Sequence, residues 1–384
     1  MNLNKEEEVL DLVNRERIIE EFMELVQIDS ETRKEREINN YLKNKLEALG
    51  LTVFEDEAGE KIGGNAGNLI AELPGKKEGL RVLLCAHMDT VQPGKGVKPI
   101  LENGIIRSQG ETILGADNKS GICAILEMLR VIKEENLEHG PIQIVFTVAE
   151  EGGLNGSKNL DQKLLKADLA YVLDSDGSAG EIIVQAPAQK SLLAKIKGKA
   201  AHAGIAPEEG VSAIQIAARG IAKMKLGRID EETTANIGVI KGGKATNIIP
   251  DLVELEGEAR SLKREKLEKQ CQHMVDCLQQ AAQELGGQIE AKVELVYPEI
   301  NLDEKEMVVL LAKKAAENLG FPVKLEKTGG GSDANILNGY GIPTANLGCG
   351  MKKVHTTEEY ITVEDLVKNP QYLVEIIKVA AQLK

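Results

Sequence analysis

The chain of 384 residues has no tryptophan, and Phe, Tyr and Trp together make up only 3% of it. Bases and sugars are commonly gripped by stacking aromatic side chains, so a surface of that kind is not expected. Positive charge is also in deficit. Asp and Glu number 61 against 47 Lys and Arg, a formal net charge of −14. Nucleic acid and anionic membrane are therefore not expected as partners, although an acidic protein can still hold cations in a local site. No apolar run approaches the roughly 20 residues that a membrane-spanning helix needs. The N-terminal stretch Lys5-Glu6-Glu7-Glu8 is charged, unlike a signal peptide. Cysteine is sparse: Cys85, Cys123, Cys271, Cys277 and Cys349, an odd count at irregular spacings without zinc-finger pattern. The expectation is buried free thiols in a reducing cytoplasm. Internal repeats and low-complexity tracts are absent.

What is present is a core. Hydrophobic content is 42%, and the length suggests two domains. Helical apolar spacing runs from Asn4 to Ile28, and a second helix is predicted from about Lys34 to Leu49 with Gly50 as its cap. Strand-like runs follow at Leu51–Phe54, Asn68–Leu73 and Arg81–Ala86. Val91 to Ile113 reads as a long Gly/Pro-rich loop, leading to a helix from about Ile122 to Lys133. Pro141–Ala149 and Leu169–Leu173 read as buried strands. Between Lys190 and Val296 the predicted order is β-α-β-β-α-β, which resembles a ferredoxin-like inserted domain. Beyond Leu302 the α/β pattern resumes: a helix to Leu319, a short helix, a Pro343–Leu347 strand, and a final helix capped by Thr362 and broken near Pro370. The expected domains are therefore 1–186 and 300–384 for one α/β unit, with 187–299 inserted.

The chemistry sits at the ends of the predicted strands. One strand ends in His87, with Asp89 two residues on and so on the same side. Another ends in Glu150-Glu151, a third in Asp174. Ligands of open α/β sheets bind outside such strand ends. A further loop holds Asp117 just before a helix start, where an Asp can also serve as an N-cap, and a late loop carries His355. Two imidazoles and three carboxylates suit two divalent ions if one carboxylate bridges. Their softness suits zinc, with cobalt or manganese possible. Glu150, adjacent to a ligand yet directed elsewhere, is the candidate general base.

As a set, His87-x-Asp89, Gly115-Ala116-Asp117-Asn118-Lys119, Glu150-Glu151, Asp174 and His355 resemble the co-catalytic zinc peptidases. That family includes peptidase T, bacterial glutamate carboxypeptidase, aminoacylase and acetylornithine deacetylase. Gly115–Lys119 and the run Gly329–Asn335 look closest to the peptidase T branch, and the resemblance spans essentially the whole chain. It implies a mixed-sheet α/β catalytic domain with an inserted α+β lid domain, and hydrolysis of short peptides in the manner of a tripeptide aminopeptidase. An N-acyl-amino-acid deacylase or a carboxypeptidase is the alternative. The family pattern makes Asp117 the bridge, with His87 and Asp174 completing one metal site and Glu151 and His355 the other. Asp89 would orient His87, and Glu150 would be base and then proton donor. A cis peptide after Asp117 is also implied. In the inserted domain His202 resembles the family's lid histidine, which stabilises the oxyanion, often from a partner subunit. Asn247 and Arg260 match substrate-binding positions, Arg260 as a clamp for a carboxylate. Dimerisation through the inserted domain is implied in the same way. His139 and His273 match nothing and are expected at the surface.

Overall fold

The computed structural model describes residues 9, 10 and 12–383. Part of the expected first helix, residues 4–8 and 11, lies outside the described residues. Seventeen strands are described: β1 (Thr52–Glu55), β2 (Leu69–Leu73), β3 (Val82–His87), β4 (Pro99–Glu102), β5 (Ile105–Ser108), β6 (Ile142–Thr147), β7 (Leu169–Ser175), β8 (Glu181–Ala186), β9 (Ala188–Lys197), β10 (Gly227–Arg228), β11 (Thr233–Gly242), β12 (Leu252–Ser261), β13 (Gln288–Tyr297), β14 (Ile300–Asn301), β15 (Lys324–Lys327), β16 (Thr344–Gly348) and β17 (Tyr360–Thr362). The chain divides into two compact units, one of Met1–Val184, Leu302–Lys327 and Ser332–Lys384, the other of Gln185–Asn301 with Thr328–Gly331.

The first unit is built on a mixed sheet in the order β1-β2-β6-β3-β7-β16-β8. Strand β3 runs parallel to both β6 and β7, and β16 runs parallel to β7. These four strands therefore end on one edge of the sheet. All of β3, β6 and β16 is buried, which is why they read as continuous apolar runs rather than alternating ones. The helix Ala116–Glu134 packs against β3 and β7, and against the helices Arg15–Val26 and Val363–Ala380. Arg15–Val26 starts where the Asn14 side chain accepts the Arg17 N–H at 2.9 Å, and it buries Ile18, Phe22, Leu25 and Val26 on one stripe.

Several expectations fail locally. The supposed loop from Val91 to Ile113 contains the hairpin β4–β5. Its turn residues, Asn103 and Gly104, both have positive φ (51° and 76°), the Asn-Gly signature of a tight hairpin. Strand β17 pairs with β5 to complete a small three-stranded sheet. The final helix is not broken at Pro370, which lies inside Val363–Ala380. Its flanking side chains anchor it: Asn369 donates to the Cys349 carbonyl and Gln371 to that of Leu10. This packing outweighs the ~3 kcal/mol an interior proline costs a helix. His139 is buried, not at the surface, with Nδ1 2.7 Å from the Gly140 carbonyl. The structure adds strands β8, β10, β14, β15 and β17 to those expected.

In the second unit, β10-β11-β12-β9-β13 form an antiparallel sheet. The helices Ala213–Lys223 and Arg264–Leu285 pack on each other and on that sheet. Its own apolar core includes Leu192, Ile196, Ile216, Val253, Leu267, Met274 and Leu278. The order β9, helix, β11, β12, helix, β13 is the α+β arrangement expected.

Candidate metal centre

At the end of β3 the His87 ring is buried, and its Nδ1 lies 2.8 Å from the main-chain carbonyl oxygen of Asp89. The Asp89 carboxylate is farther from Nδ1, at 3.5 Å. So the contact that orients this ring comes from the Asp89 backbone. Its carboxylate does something else: Oδ1 accepts the Glu150 N–H at 2.8 Å, and Oδ2 accepts the Glu151 N–H at 3.2 Å and the Thr32 hydroxyl at 2.8 Å. Asp89 thereby holds the turn after β6 against the end of β3.

With Nδ1 facing that carbonyl, His87 Nε2 points into the cluster. It faces Asp117 Oδ1 at 2.9 Å and Asp174 Oδ1 at 3.6 Å. The other Asp117 oxygen, Oδ2, is 3.2 Å from Nε2 of His355, which lies 2.9 Å from Glu151 Oε1. The donor atoms of His87, Asp117 and Glu151 all lie within 4.8 Å of one another. Asp117 therefore offers one oxygen to each imidazole, and each imidazole has a further carboxylate beside it. Imidazole lone pairs turned toward carboxylate oxygens repel unless a proton or a cation stands between them. The donor set fits two divalent ions sharing Asp117.

Burial and neighbouring charges act on five of these groups. Burial lowers the pKa of His87, but the carboxylates of Asp117, Asp174 and Asp89 outweigh it and hold the ring well above its ordinary value. Asp117 and Glu151 raise His355 to about 10. Burial would raise Asp117, yet its two imidazoles hold it below the usual carboxylate range. Burial, then Asp117 and Glu151, push Asp174 up to about 7. Burial and the charge of Asp174 push Glu150 well above its usual value. Crowded acids whose ordinary ionisation is disturbed in this way are the setting in which a cation is favoured.

The helix Ala116–Glu134 starts irregularly: Asp117 and Asn118 depart from helical φ/ψ, and the peptide between them is cis. Asp117 does not cap the helix, since no side-chain cap bond is made. Sequence reasoning missed several supports. Asn346 on β16 holds the Asp174 peptide from both sides, accepting its N–H and donating to its carbonyl, each at 2.9 Å. Asp333, within the Gly329–Asn335 run but given no role, is buried and accepts from Thr147 at the end of β6. Glu359 is buried beside the Asp117 turn. A lone Asn or Glu carries no sequence signal of such a role.

Three expected residues lie in the second unit. His202 and Asn247 are exposed, and backbone pairing brings them together: Ala203 N–H donates to the Asn247 carbonyl at 3.0 Å, and His202 bridges Ile248. Arg260 on β12 is half-buried, with Nε and one terminal nitrogen donating to the two oxygens of Glu258 at 3.0 and 3.1 Å.

Residues 83–379 match the model of peptidase family M20/M25/M40. The chain belongs to that family. Among its relatives, the uncharacterized protein YqjE of Bacillus subtilis is 51% identical over 97% of this chain and 100% of its own length. Peptidase T of Escherichia coli is 27% identical over 96% of this chain and 100% of its own length. Two solved structures are similar. The aminopeptidase PepT from Bacillus cereus has a TM-score of 0.89 at 50% identity, covering 96% of this chain and 100% of that one. A tripeptidase from Staphylococcus aureus has a TM-score of 0.92 at 48% identity, covering 97% and 100%. The family and these likenesses make the chain a metallopeptidase with the mixed-sheet α/β architecture expected of it.

Proposed function

We propose that this M20 protein is an exopeptidase that cleaves short peptides, a tripeptide aminopeptidase in type. The single observation that carries the reading is the divided Asp117 carboxylate, with one oxygen facing His87 and the other His355. Relatives named aminopeptidase and tripeptidase favour peptides over N-acyl amino acids as substrates. Asp117, His87 and Asp174 would hold one ion, and Asp117, Glu151 and His355 the other. Zinc is the ion that this mix of imidazole and carboxylate suits best. Held there, two such ions would supply Lewis acidity for the scissile carbonyl and for the attacking water. Glu150 takes the proton of that water and returns it to the leaving amine nitrogen. Asp89 keeps Glu150 and Glu151 in place through their N–H groups. In the second unit, which serves as the lid, His202 donates to the developing oxyanion, while Asn247 and Arg260 hold the substrate. Arg260 would exchange Glu258 for the peptide carboxylate.

Dimerisation through the second unit is part of this reading, with β13 as an edge strand able to pair with a second copy. The cytoplasm is the proposed location, in keeping with five buried free cysteines. The test is Glu150→Gln and Glu150→Ala, assayed on tripeptides and on N-acyl amino acids. Tripeptide hydrolysis falls by about 10²–10⁴ while both variants keep two ions per chain. Undiminished turnover in either variant, or faster cleavage of N-acyl amino acids by the parent protein, would refute the reading.

A further inference from the structure

The turn that presents Asp117 contains three N–H groups directed at a single side chain. Glu359 Oε2 accepts the N–H of Leu114 at 2.8 Å and that of Gly115 at 2.7 Å, and Oε1 accepts the N–H of Asp117 itself at 3.0 Å. The carboxylate is 1% exposed. Bonds from backbone N–H to a buried carboxylate are charge-assisted and strong, and buried N–H groups left without an acceptor are costly. The turn needs this support because it is irregular. Gly115 has φ 79°, and Asp117 and Asn118 are not helical.

Glu359 is at the same time part of the loop that carries His355. Lys352 and Tyr360 close that loop through two backbone bonds of 2.9 and 3.1 Å, and the Glu359 N–H donates to the Thr356 carbonyl at 3.1 Å. From Lys352 to Tyr360, Glu359 is the only buried residue. Lys353 and His355 have φ of 54° and 62°, a backbone region that non-glycine residues keep only where surroundings hold them. One carboxylate thus joins two segments, although Asp117 and Glu359 are 242 residues apart in the chain.

We propose that Glu359 is a positioning residue that locks the Asp117 turn to the His355 loop and so sets the affinity for the ion between Asp117, Glu151 and His355. The inference rests on the two-ion reading above. It makes the two ions unequal in their dependence on Glu359. His87 and Asp174 project from β3 and β7 and are fixed by the sheet; His355 stands on an exposed loop whose buried carboxylate is Glu359. In Glu359→Gln, one acceptor oxygen becomes an NH₂ group that faces N–H donors, so part of the clamp turns repulsive at nearly unchanged volume.

The experiment is a competitive titration of the full metal-free chain with Zn²⁺ against a chelator, for the parent, Glu359→Gln and Glu359→Asp. It is read alongside the Co²⁺ absorption spectrum and the Tm of the metal-free proteins. The expected result is two bound ions in the parent. In Glu359→Gln one dissociation constant rises about 10–100-fold, the size usual for losing such a support, while the other, which shares Asp117, rises markedly less. Glu359→Asp, which keeps the charge on a shorter arm, falls between, and excess Zn²⁺ restores peptide hydrolysis in both. A parent that binds fewer than two ions defeats the two-ion reading itself. A parent with two ions and variants with both constants unchanged, or both weakened equally, overturns the role of Glu359 alone. Should Glu359→Gln not fold, the same outcomes are read from Glu359→Asp.

Discussion

At the scale of single residues, the site depends on which atom of each side chain is committed elsewhere. His87 presents Nε2 because Nδ1 is taken by a carbonyl oxygen; Asp89 is free to hold the Glu150-Glu151 turn for the same reason. Glu35 shows how tightly acids are packed behind this turn. One of its oxygens accepts the N–H groups of Arg33 and Ala149, and the other has no partner. Burial, then the nearby charge of Asp89, pushes the carboxyl up to about 7. A raised carboxyl pKa means that the fold prefers the protonated acid. Its stabilising effect is full below the unfolded value of about 4.3 and is lost as pH rises from there through 7. Glu35→Gln keeps an oxygen for the two N–H groups and cannot ionise. On metal-free protein, the Tm of this variant relative to the parent should climb between pH 5 and pH 8, by up to about 3 kcal/mol in stability. A Tm difference that is flat with pH would show that Glu35 does not titrate in this range.

At the scale of elements, the parallel strands β3, β6 and β7 deliver His87, the Glu150-Glu151 turn and Asp174 to one sheet edge, and the helix Ala116–Glu134 must bring Asp117 to the same place. That helix is registered by a buried charge. Glu127 on it is fully buried and accepts from the N–H of Asn14 and from two nitrogens of Arg17, with Arg130 also in reach at 3.4 Å. Without Glu127, Arg17 and Arg130 keep Glu134 and Glu21 as partners, but the Asn14 N–H loses its acceptor. Glu127→Ala should therefore lose about 1–3 kcal/mol in urea unfolding. If the loss stays below about 1 kcal/mol, the level of a surface pair, Glu127 does not hold the helix Arg15–Val26 in register.

At the scale of the molecule, two separate apolar cores are folded from an interrupted chain. Three carboxylates of the proposed ligand set belong to the first, with both ligating imidazoles. Without cations their mutual repulsion opposes folding, so metal binding should stabilise this unit above all. Each ion present at 100 times its dissociation constant would contribute about 2.7 kcal/mol. Chelation should abolish peptide hydrolysis and lower the Tm of the unit that holds the site; restoring Zn²⁺ should recover both. A Tm that is indifferent to metal would mean that the acids at the sheet edge do not share ions.

Much of this was legible in the residues themselves. Apolar runs bounded by Gly and charged residues marked β3, β6 and β7, because strands buried on both faces leave no alternation to misread. The position of a His or acid directly after such a run pointed to the sheet edge, and the alternation of elements between Lys190 and Val296 outlined the α+β unit. Where local signals met tertiary packing, they lost: Pro370 sits inside a helix whose neighbours hold it, and His139 is buried against a carbonyl. The Asn103-Gly104 pair is a local hairpin signal within the Gly/Pro-rich stretch. Composition and periodicity determined the fold class, the two cores and a list of candidate donors, since burial and strand period act locally along the chain. Only the tertiary structure decided that Asp117 divides its oxygens between two imidazoles, that Asp89 secures the Glu150-Glu151 turn, and that Glu359 reaches across to the Asp117 turn. Those are distances between segments far apart in sequence, and no local rule of propensity or spacing encodes them.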